Sequence, residues 1–124
     1  MSVPNRITIW SLLLLMSGAL AWPQARDEEP GPAAPDNLRV FTRYDGATAV
    51  AELIWKDNSE DELGFEVLRS DDNEEFRVVG IVGTNTDHYD DKIGQYVTGV
   101  YAYRVRAFNA NGKSPPSNTI TLWF

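Results

Sequence analysis

The chain has 124 residues, no cysteine and a formal net charge of −7, with 11 basic against 18 acidic residues. This length is enough for one domain, and the missing cysteines exclude a disulfide framework, a thiolate metal site and a cysteine nucleophile. The acidic balance argues against nucleic acid and anionic membrane surfaces as partners, because both attract basic proteins.

The first 21 residues have the pattern of a secretory signal peptide. Arg6 precedes an uncharged apolar run that ends in the small-residue pattern Ala19-Leu20-Ala21. A spanning helix needs about 20 apolar residues, so the shorter run favours cleavage after Ala21. The sequence therefore predicts a secreted or periplasmic protein with no membrane insertion after cleavage, and a retained N-terminal membrane anchor is the alternative.

A proline-rich segment follows the predicted signal peptide. Residues 22–35 hold four of the seven prolines together with a cluster of charges. Such a composition cannot bury enough apolar surface to fold. We therefore expect an extended leader over residues 22–34 and a folded domain over residues 35–124.

From Asp36 onward, apolar and polar residues alternate in short runs separated by turn residues. A period of two is typical of strands with one buried face. About seven strands are predicted, in the segments 37–41, 48–55, 65–70, 76–83, 85–91, 100–108 and 119–124. Runs of short strands without helices predict an all-β sandwich or barrel.

The alternation also predicts which side chains form the core. The residues expected on buried faces are Leu38, Val40, Leu53, Trp55, Phe65, Val67, Tyr101, Tyr103, Val105 and Ala107. Leu68 and Arg104 fall on the opposite faces of their strands. Gly80 is expected at a bulge or at a close approach of another group to the backbone.

Five short motifs, in order and at natural spacing, resemble those of a fibronectin type III domain, which has an immunoglobulin-like fold. They are Pro35-x-x-Leu38-x-Val40, Leu53-x-Trp55, Gly64-Phe65-x-Val67, Tyr101-x-Tyr103-x-Val105-x-Ala107 and Gly112-x-Ser114-x-x-Ser117. The resemblance covers about residues 33–122.

The resemblance implies a seven-stranded sandwich with Greek-key connections. It implies that Trp55 lies between the sheets and that the Tyr101 hydroxyl bonds to backbone in the connection before its strand, as a tyrosine corner. Some members of the family bind integrins through an Arg-Gly-Asp tripeptide in the loop after this strand. That tripeptide is absent here, so integrin binding is not implied.

The acidic loop after Trp55 is similar to the start of a calcium-binding loop. Asp57, Ser59 and Asp61 alternate, but Glu62 stands where such loops need glycine and Leu68 where they need glutamate. We therefore predict a solvated loop without metal, and weak calcium binding there or at the acidic turn over residues 71–75 is the open alternative.

Nothing in the sequence indicates catalysis. His88 is the lone histidine, without a nucleophile in a recognisable motif beside it, and the serines lack an elbow motif. No phosphate-binding loop or metal set is present. We expect a protein that is not an enzyme and that needs no cofactor.

Two surfaces are candidates for binding. The first is the loop after the strand of residues 100–108, with Asn109, Asn111 and Lys113, since loops at sandwich ends often carry recognition. The second is the solvent face of the predicted sheet, with candidate residues Leu68, Arg104, Arg106 and Trp123, where two arginines beside an indole could form a binding hot spot. An Arg104–Glu66 pair with no binding role is the alternative for that face.

The sequence therefore predicts a non-catalytic, extracytoplasmic module for protein interaction or adhesion, with an unidentified protein partner. The first alternative is a structural or spacer sandwich without a specific ligand. The second is a weak carbohydrate-binding sandwich that uses Trp123.

Overall fold

The computed structural model describes residues 30–124, and the predicted signal peptide and most of the predicted leader lie outside the described residues. The described part is all β. Its strands are β1 (Asp36–Asp45), β2 (Thr48–Lys56), β3 (Gly64–Asp71), β4 (Arg77–Gly83), β5 (His88–Gln95), β6 (Val100–Asn109), β7 (Gly112–Lys113) and β8 (Ile120–Trp123). No membrane-spanning helix is found over residues 30–124.

The strands form two antiparallel sheets. The three-stranded sheet has the order β1-β2-β5, and the five-stranded sheet has the order β4-β3-β6, with β7 and β8 both pairing with β6. Strands β2 and β5, and strands β3 and β6, are neighbours in space but not in sequence. These crossovers make the connections of a Greek-key sandwich, as the sequence predicted.

The core lies between the two sheets. Trp55 from β2 packs on Phe65 from β3, with ring centroids 5.6 Å apart. The predicted core residues are buried, except Val40, which is partly buried against the core. Each fully buried aliphatic or aromatic side chain contributes roughly 1.5–3 kcal/mol, so this cluster supplies most of the stabilisation.

Strands β3 and β6 bury their faces differently. In β6 the buried and half-buried residues alternate, as the pattern predicted. In β3 every residue from Gly64 to Ser70 is buried, so Leu68 is not on an exposed face. Leu68 lies between Arg104 and Val78 in the sheet, and these neighbours cover it.

The Tyr101 hydroxyl donates a hydrogen bond to the carbonyl of Thr98, 3.3 Å away. Thr98 lies in the connection between β5 and β6. This is the tyrosine-corner contact that the family resemblance implies.

Two short strands, β7 and β8, lie along the same side of β6 in the five-stranded sheet. They are separated in sequence by Pro115 and Pro116. Prolines cannot donate to a sheet, but the serines beside them bond to β6. The amides of Ser114 and Ser117 donate to the carbonyls of Ala107 and Val105, each at 2.8 Å. The hydroxyls of the same serines accept from the amides of Ala107 and Val105, at 2.9 and 3.0 Å. The two serines of the Gly-x-Ser-x-x-Ser motif therefore hold this segment to β6 through both backbone and side chain.

Gly80 sits where β4 changes register against β3. Val67 pairs with Gly80 and Leu68 with Val78, so Val79 is an extra residue, a β-bulge. A Cβ atom on Gly80 would lie 2.7 Å from the Tyr89 hydroxyl and overlap its ring. Gly80 therefore serves both predicted roles.

The chain contacts the sandwich a few residues before β1. Pro32 is buried, and the Asn58 side chain donates to the carbonyl of Ala34 at 3.0 Å. All eight strands and the core lie within residues 31–124, which form one compact unit. A protein spanning residues 22–124 thus retains every contact described above.

Candidate functional site

The candidate site is the solvent face of the five-stranded sheet, called here the outer face. Strand alternation places Glu66, Arg104 and Arg106 on this face, opposite the buried residues of β3 and β6. Lys113 joins them from β7, which pairs with the end of β6. In a chain of net charge −7, the outer face is locally basic.

Glu66 lies between two cations. Its carboxylate accepts from Arg106 Nε at 2.7 Å and contacts Lys113 Nζ at 3.2 Å. Burial alone would raise the pKa of Glu66, but the hydrogen bonds from Arg106 and Lys113 outweigh burial and lower it. The predicted Arg104–Glu66 pair is wrong, because the register sets Glu66 opposite Arg106.

Arg104 is fixed by two other contacts. Its guanidinium carbon lies 4.1 Å from the centroid of the Phe76 ring, and its Nε donates to the Thr119 hydroxyl at 2.8 Å. A cation stacked on an aromatic face gains about 0.5–1 kcal/mol at an exposed site. The aromatic partner of this face is therefore Phe76, directly before β4, which the sequence analysis did not single out, because its contact with Arg104 joins residues far apart in sequence.

Both outer-face arginines keep donors for a partner. Arg104 and Arg106 each hydrogen-bond through Nε alone, and within residues 30–124 their terminal Nη groups meet no acceptor. A guanidinium carries five N–H donors in a rigid fork. Two side chains held in place with free donors are suited to binding carboxylates.

Trp123 does not sit beside the arginines. It is 69% exposed and pairs with Val100, four residues along β6 from Arg104. At about 3.3 Å per residue this separates them by roughly 13 Å. The predicted patch of two arginines and an indole is thus divided into an arginine region and a separate indole.

The connection after β6 is a tight hairpin, not the long loop that the sequence suggested. Asn109 accepts from the Asn111 amide at 2.8 Å and donates to the carbonyl of Asp61 at 3.2 Å. Asn109 therefore links the β6–β7 hairpin to the loop between β2 and β3. Asn111 remains exposed at the tip, and Lys113 belongs to the outer face.

A buried ionic cluster was missed by the sequence analysis. The Arg69 side chain, 9% exposed, bonds to Asp91 at 2.8 Å and to Asp71 at 2.6 Å. The Tyr103 hydroxyl donates to the same Asp91 carboxylate at 2.7 Å. Burial, followed by the contact with Asp91, raises the pKa of Tyr103, so its hydroxyl remains a donor.

The acidic loop after β2 is ordered by its own hydrogen bonds. Asp57 accepts from the Ser59 amide at 2.9 Å, and the Ser59 hydroxyl donates to Asp61 at 2.9 Å. Glu62 is 4% exposed and accepts from the Asn85 amide at 2.9 Å. Over residues 30–124, no three carboxylate or imidazole side chains converge as metal ligands would.

Asp57 and Glu62 each affect the ionisation of the other, and they have opposite pKa shifts. Burial, followed by the proximity of Glu62, raises the pKa of Asp57. Burial would also raise the pKa of Glu62, but hydrogen bonds from Asn85 and other groups outweigh it and lower the pKa. Glu62 Oε1 has no hydrogen-bond partner among the described residues.

His88 lies at the start of β5 with its side chain 73% exposed, and its Nδ1 is 3.1 Å from Asp87. Among the described residues, no serine, threonine or tyrosine hydroxyl is hydrogen-bonded to the His88 ring. His88 is therefore a surface residue at the start of β5.

Comparison with known proteins agrees with this architecture. The chain is similar to a solved structure described as a myokine, at 25% identity over 73% of this chain and 95% of that chain, with a TM-score of 0.57. An Fn3-like protein from Clostridium thermocellum is similar at 20% identity over 73% and 91% of the two chains, with a TM-score of 0.57. The FN1-FN3 domains of chicken CNTN1 match at 18% identity, over 73% of this chain and 32% of that chain, with a TM-score of 0.57.

No family model and no curated protein matches the sequence. The two-sheet Greek-key arrangement makes the described part an immunoglobulin-like β-sandwich. With its structural neighbours and its tyrosine corner, it has a fibronectin type III-like fold.

Proposed function

We propose that this chain is a non-catalytic, extracytoplasmic interaction module whose outer face binds a protein partner through that partner's carboxylates. The observation that carries the proposal is the pair Arg104 and Arg106, each fixed through Nε with its Nη groups unpartnered in the described chain. The extracytoplasmic location rests on the signal-peptide pattern of residues 1–21.

The fixed positions of the two arginine side chains support binding, because they lower the entropic cost of forming the interface. Ordering a long side chain at an interface costs about 0.5–1.5 kcal/mol. Arg104 and Arg106 are ordered before any partner arrives, by Phe76 and Thr119 in one case and by Glu66 in the other. A guanidinium fork also recognises a carboxylate through two parallel hydrogen bonds, which are stronger than neutral ones.

The test is capture of a partner from the extracytoplasmic fraction of the source cell, with residues 22–124 as bait. The diagnostic variant is Arg104→Ala with Arg106→Ala. The matched control is Arg39→Ala with Lys56→Ala, which removes the same charge from exposed positions on the three-stranded sheet. We expect the partner's affinity to fall at least about tenfold in the first variant and to stay unchanged in the control.

Two results would contradict the proposal. If both variants lose the partner equally, charge alone accounts for capture and the outer face is not the site. If the folded native domain captures nothing, the alternative of a spacer sandwich is favoured. A partner released by soluble oligosaccharide and lost in Trp123→Ala would instead support the carbohydrate-binding alternative.

A further inference from the structure

The outer face carries exposed apolar side chains beside its cations. Ile81 and Val78 of β4 are 63% and 40% exposed. In the sheet, Ile81 lies opposite Glu66 and Val78 opposite Leu68, and side chains that are directly opposite each other in this way lie on one face of a sheet. The two apolar side chains therefore share the outer face with its two arginines.

The guanidinium groups of these arginines lie on the side of β6 that faces β4. Arg106 bonds to Glu66 on the intervening strand β3, and the next residue across the sheet is Ile81. Arg104 stacks on Phe76, which directly precedes β4. Less than the width of two strand spacings, about 10 Å, therefore separates the cationic groups from the apolar side chains of β4.

The spacing of the two arginines defines the shape of a matching ligand. Arg104 and Arg106 are two residues apart on one strand, which sets their Cα atoms about 7 Å apart. Side chains at alternate positions of an extended segment have the same separation and point to the same side, whereas adjacent side chains point to opposite sides. Two carboxylates at alternate positions can therefore meet both arginines at once.

We infer that the outer face recognises an extended segment of its protein partner with the pattern acidic–apolar–acidic. The inference rests on the proposed function, because it names the kind of segment that the same face accepts. The segment lies along β3, with both carboxylates directed towards β6 and the apolar side chain between them directed towards β4. Each carboxylate accepts from the Nη groups of one arginine, and the apolar side chain packs against Ile81 and Val78.

Charge favours a short acidic segment over a long polyanion. The strands of the outer face carry three cations, Arg104, Arg106 and Lys113, and one carboxylate, Glu66, which is already paired with two of them. Two incoming carboxylates match the two arginines. A polyanion that continued beyond this face would meet the rest of a chain whose net charge is −7.

The test is the fluorescence anisotropy of short labelled peptides titrated with residues 22–124 up to about 1 mM. The three peptides carry Asp-Ile-Asp, Asp-Asp-Ile or Ser-Ile-Ser in one glycine- and serine-rich background. The first two have the same composition and charge. We expect Asp-Ile-Asp to bind at least about tenfold more tightly than either of the others, because it alone bonds both arginines.

Two variants separate the ionic from the apolar contribution. Arg104→Ala with Arg106→Ala should abolish binding of the Asp-Ile-Asp peptide. Ile81→Ser should weaken it by about threefold or more, because the peptide loses apolar contact area. The matched control is Phe41→Ser, which removes an exposed apolar side chain from the three-stranded sheet and should leave the affinity unchanged.

Equal affinity for Asp-Ile-Asp and Asp-Asp-Ile would overturn the inference, because charge and not spacing would then determine binding. Full affinity in Ile81→Ser would overturn it as well, since the apolar residue would have no partner on β4. If no peptide binds while a captured partner still depends on Arg104 and Arg106, the inference fails and the proposed function stands. If capture is also independent of the arginines, the proposed function fails with it.

Discussion

Arg69 shows how a charged side chain is accommodated between the sheets of a small sandwich. It faces the same side of β3 as Phe65 and Val67, yet it bonds to Asp71 and Asp91. Burial alone would lower the pKa of Arg69, but these two carboxylates outweigh it and raise the pKa. A buried charge without such partners would cost several kcal/mol, so the cluster fixes how the two sheets meet.

At the residue scale, the Asp57–Glu62 pair leads to a prediction about pH. Because the pKa of Asp57 is raised on folding from its ordinary value of 3.8, its stabilising contribution is present below that value and is lost as pH rises through the raised pKa. The lowered pKa of Glu62 acts oppositely: its contribution is present above 4.5 and is lost as pH falls through the lowered pKa.

We therefore expect Asp57→Asn to stabilise the protein at neutral pH, by about 0.5–1.5 kcal/mol. The amide oxygen can still accept from the Ser59 amide, and the amide N–H groups can donate to Glu62 without the uptake of a proton from solvent. Urea unfolding at several pH values should show the advantage of the variant growing as pH rises from about 4 to about 7.

Glu60→Gln is the control for this prediction, because Glu60 is an exposed carboxylate in the same loop. It should change the unfolding free energy little at any pH. An advantage of Asp57→Asn that does not vary with pH would show that the two carboxyl groups do not share a proton.

The sequence could not predict the Arg69 cluster. An arginine in a strand is ordinarily assigned to the solvent face, and Arg69 follows two core residues in the alternation without being apolar. Its partners Asp91 and Tyr103 come from β5 and β6, far away in sequence. Such a cluster becomes visible only when the register of three strands is known.

At the scale of the element, Gly80 determines how β4 and β5 approach each other. Gly80→Ala would force the new methyl group against the Tyr89 ring, which is held by its hydrogen bond to Val79. Overpacking of this kind costs about 1–3 kcal/mol. Chemical denaturation should show this loss.

The matched control is Gly83→Ala on the same strand, where no heavy atom lies within 4 Å of the added Cβ. It should shift stability by less than about 0.5 kcal/mol. If the two variants were equally destabilised, the Tyr89 contact would not be the cause of the loss at Gly80.

The alternation of apolar and polar residues predicted burial correctly in a strand with one exposed face, and it failed in a strand that is covered on both faces. The alternation of β6 predicted its buried residues correctly, because one of its faces meets solvent. Strand β3 is covered on both faces, so alternation misplaced Leu68. The two residues of β7 lie in a segment rich in glycine, serine and proline, whose composition indicates a loop.

At the scale of the whole molecule, salt should weaken the proposed association. Binding of a carboxylate partner by Arg104 and Arg106 attracts opposite charges, so screening should weaken it. Raising NaCl from about 0.02 M to about 0.5 M should therefore raise the dissociation constant of the partner.

This dissociation constant can be measured by titration of the partner. A constant that does not change with salt would contradict recognition of carboxylates by the two arginines.

The fold was predictable because its signals are distributed along the chain. Five motifs from Pro35 to Ser117 each constrain one strand, and an error in one leaves the others intact. The candidate site depends on contacts such as Phe76 on Arg104 and Glu66 on Arg106. These contacts are set by cross-strand register, which no local pattern contains.

The two prolines between β7 and β8 have a consequence for growth into fibres. A polymer of joined sheets needs an open edge at both ends of every sheet, so that each added molecule exposes a new one. Here one edge of the five-stranded sheet consists of two short strands interrupted by residues that lack N–H donors. Addition of further molecules at this edge is therefore disfavoured, which opposes the growth of joined sheets into a fibril.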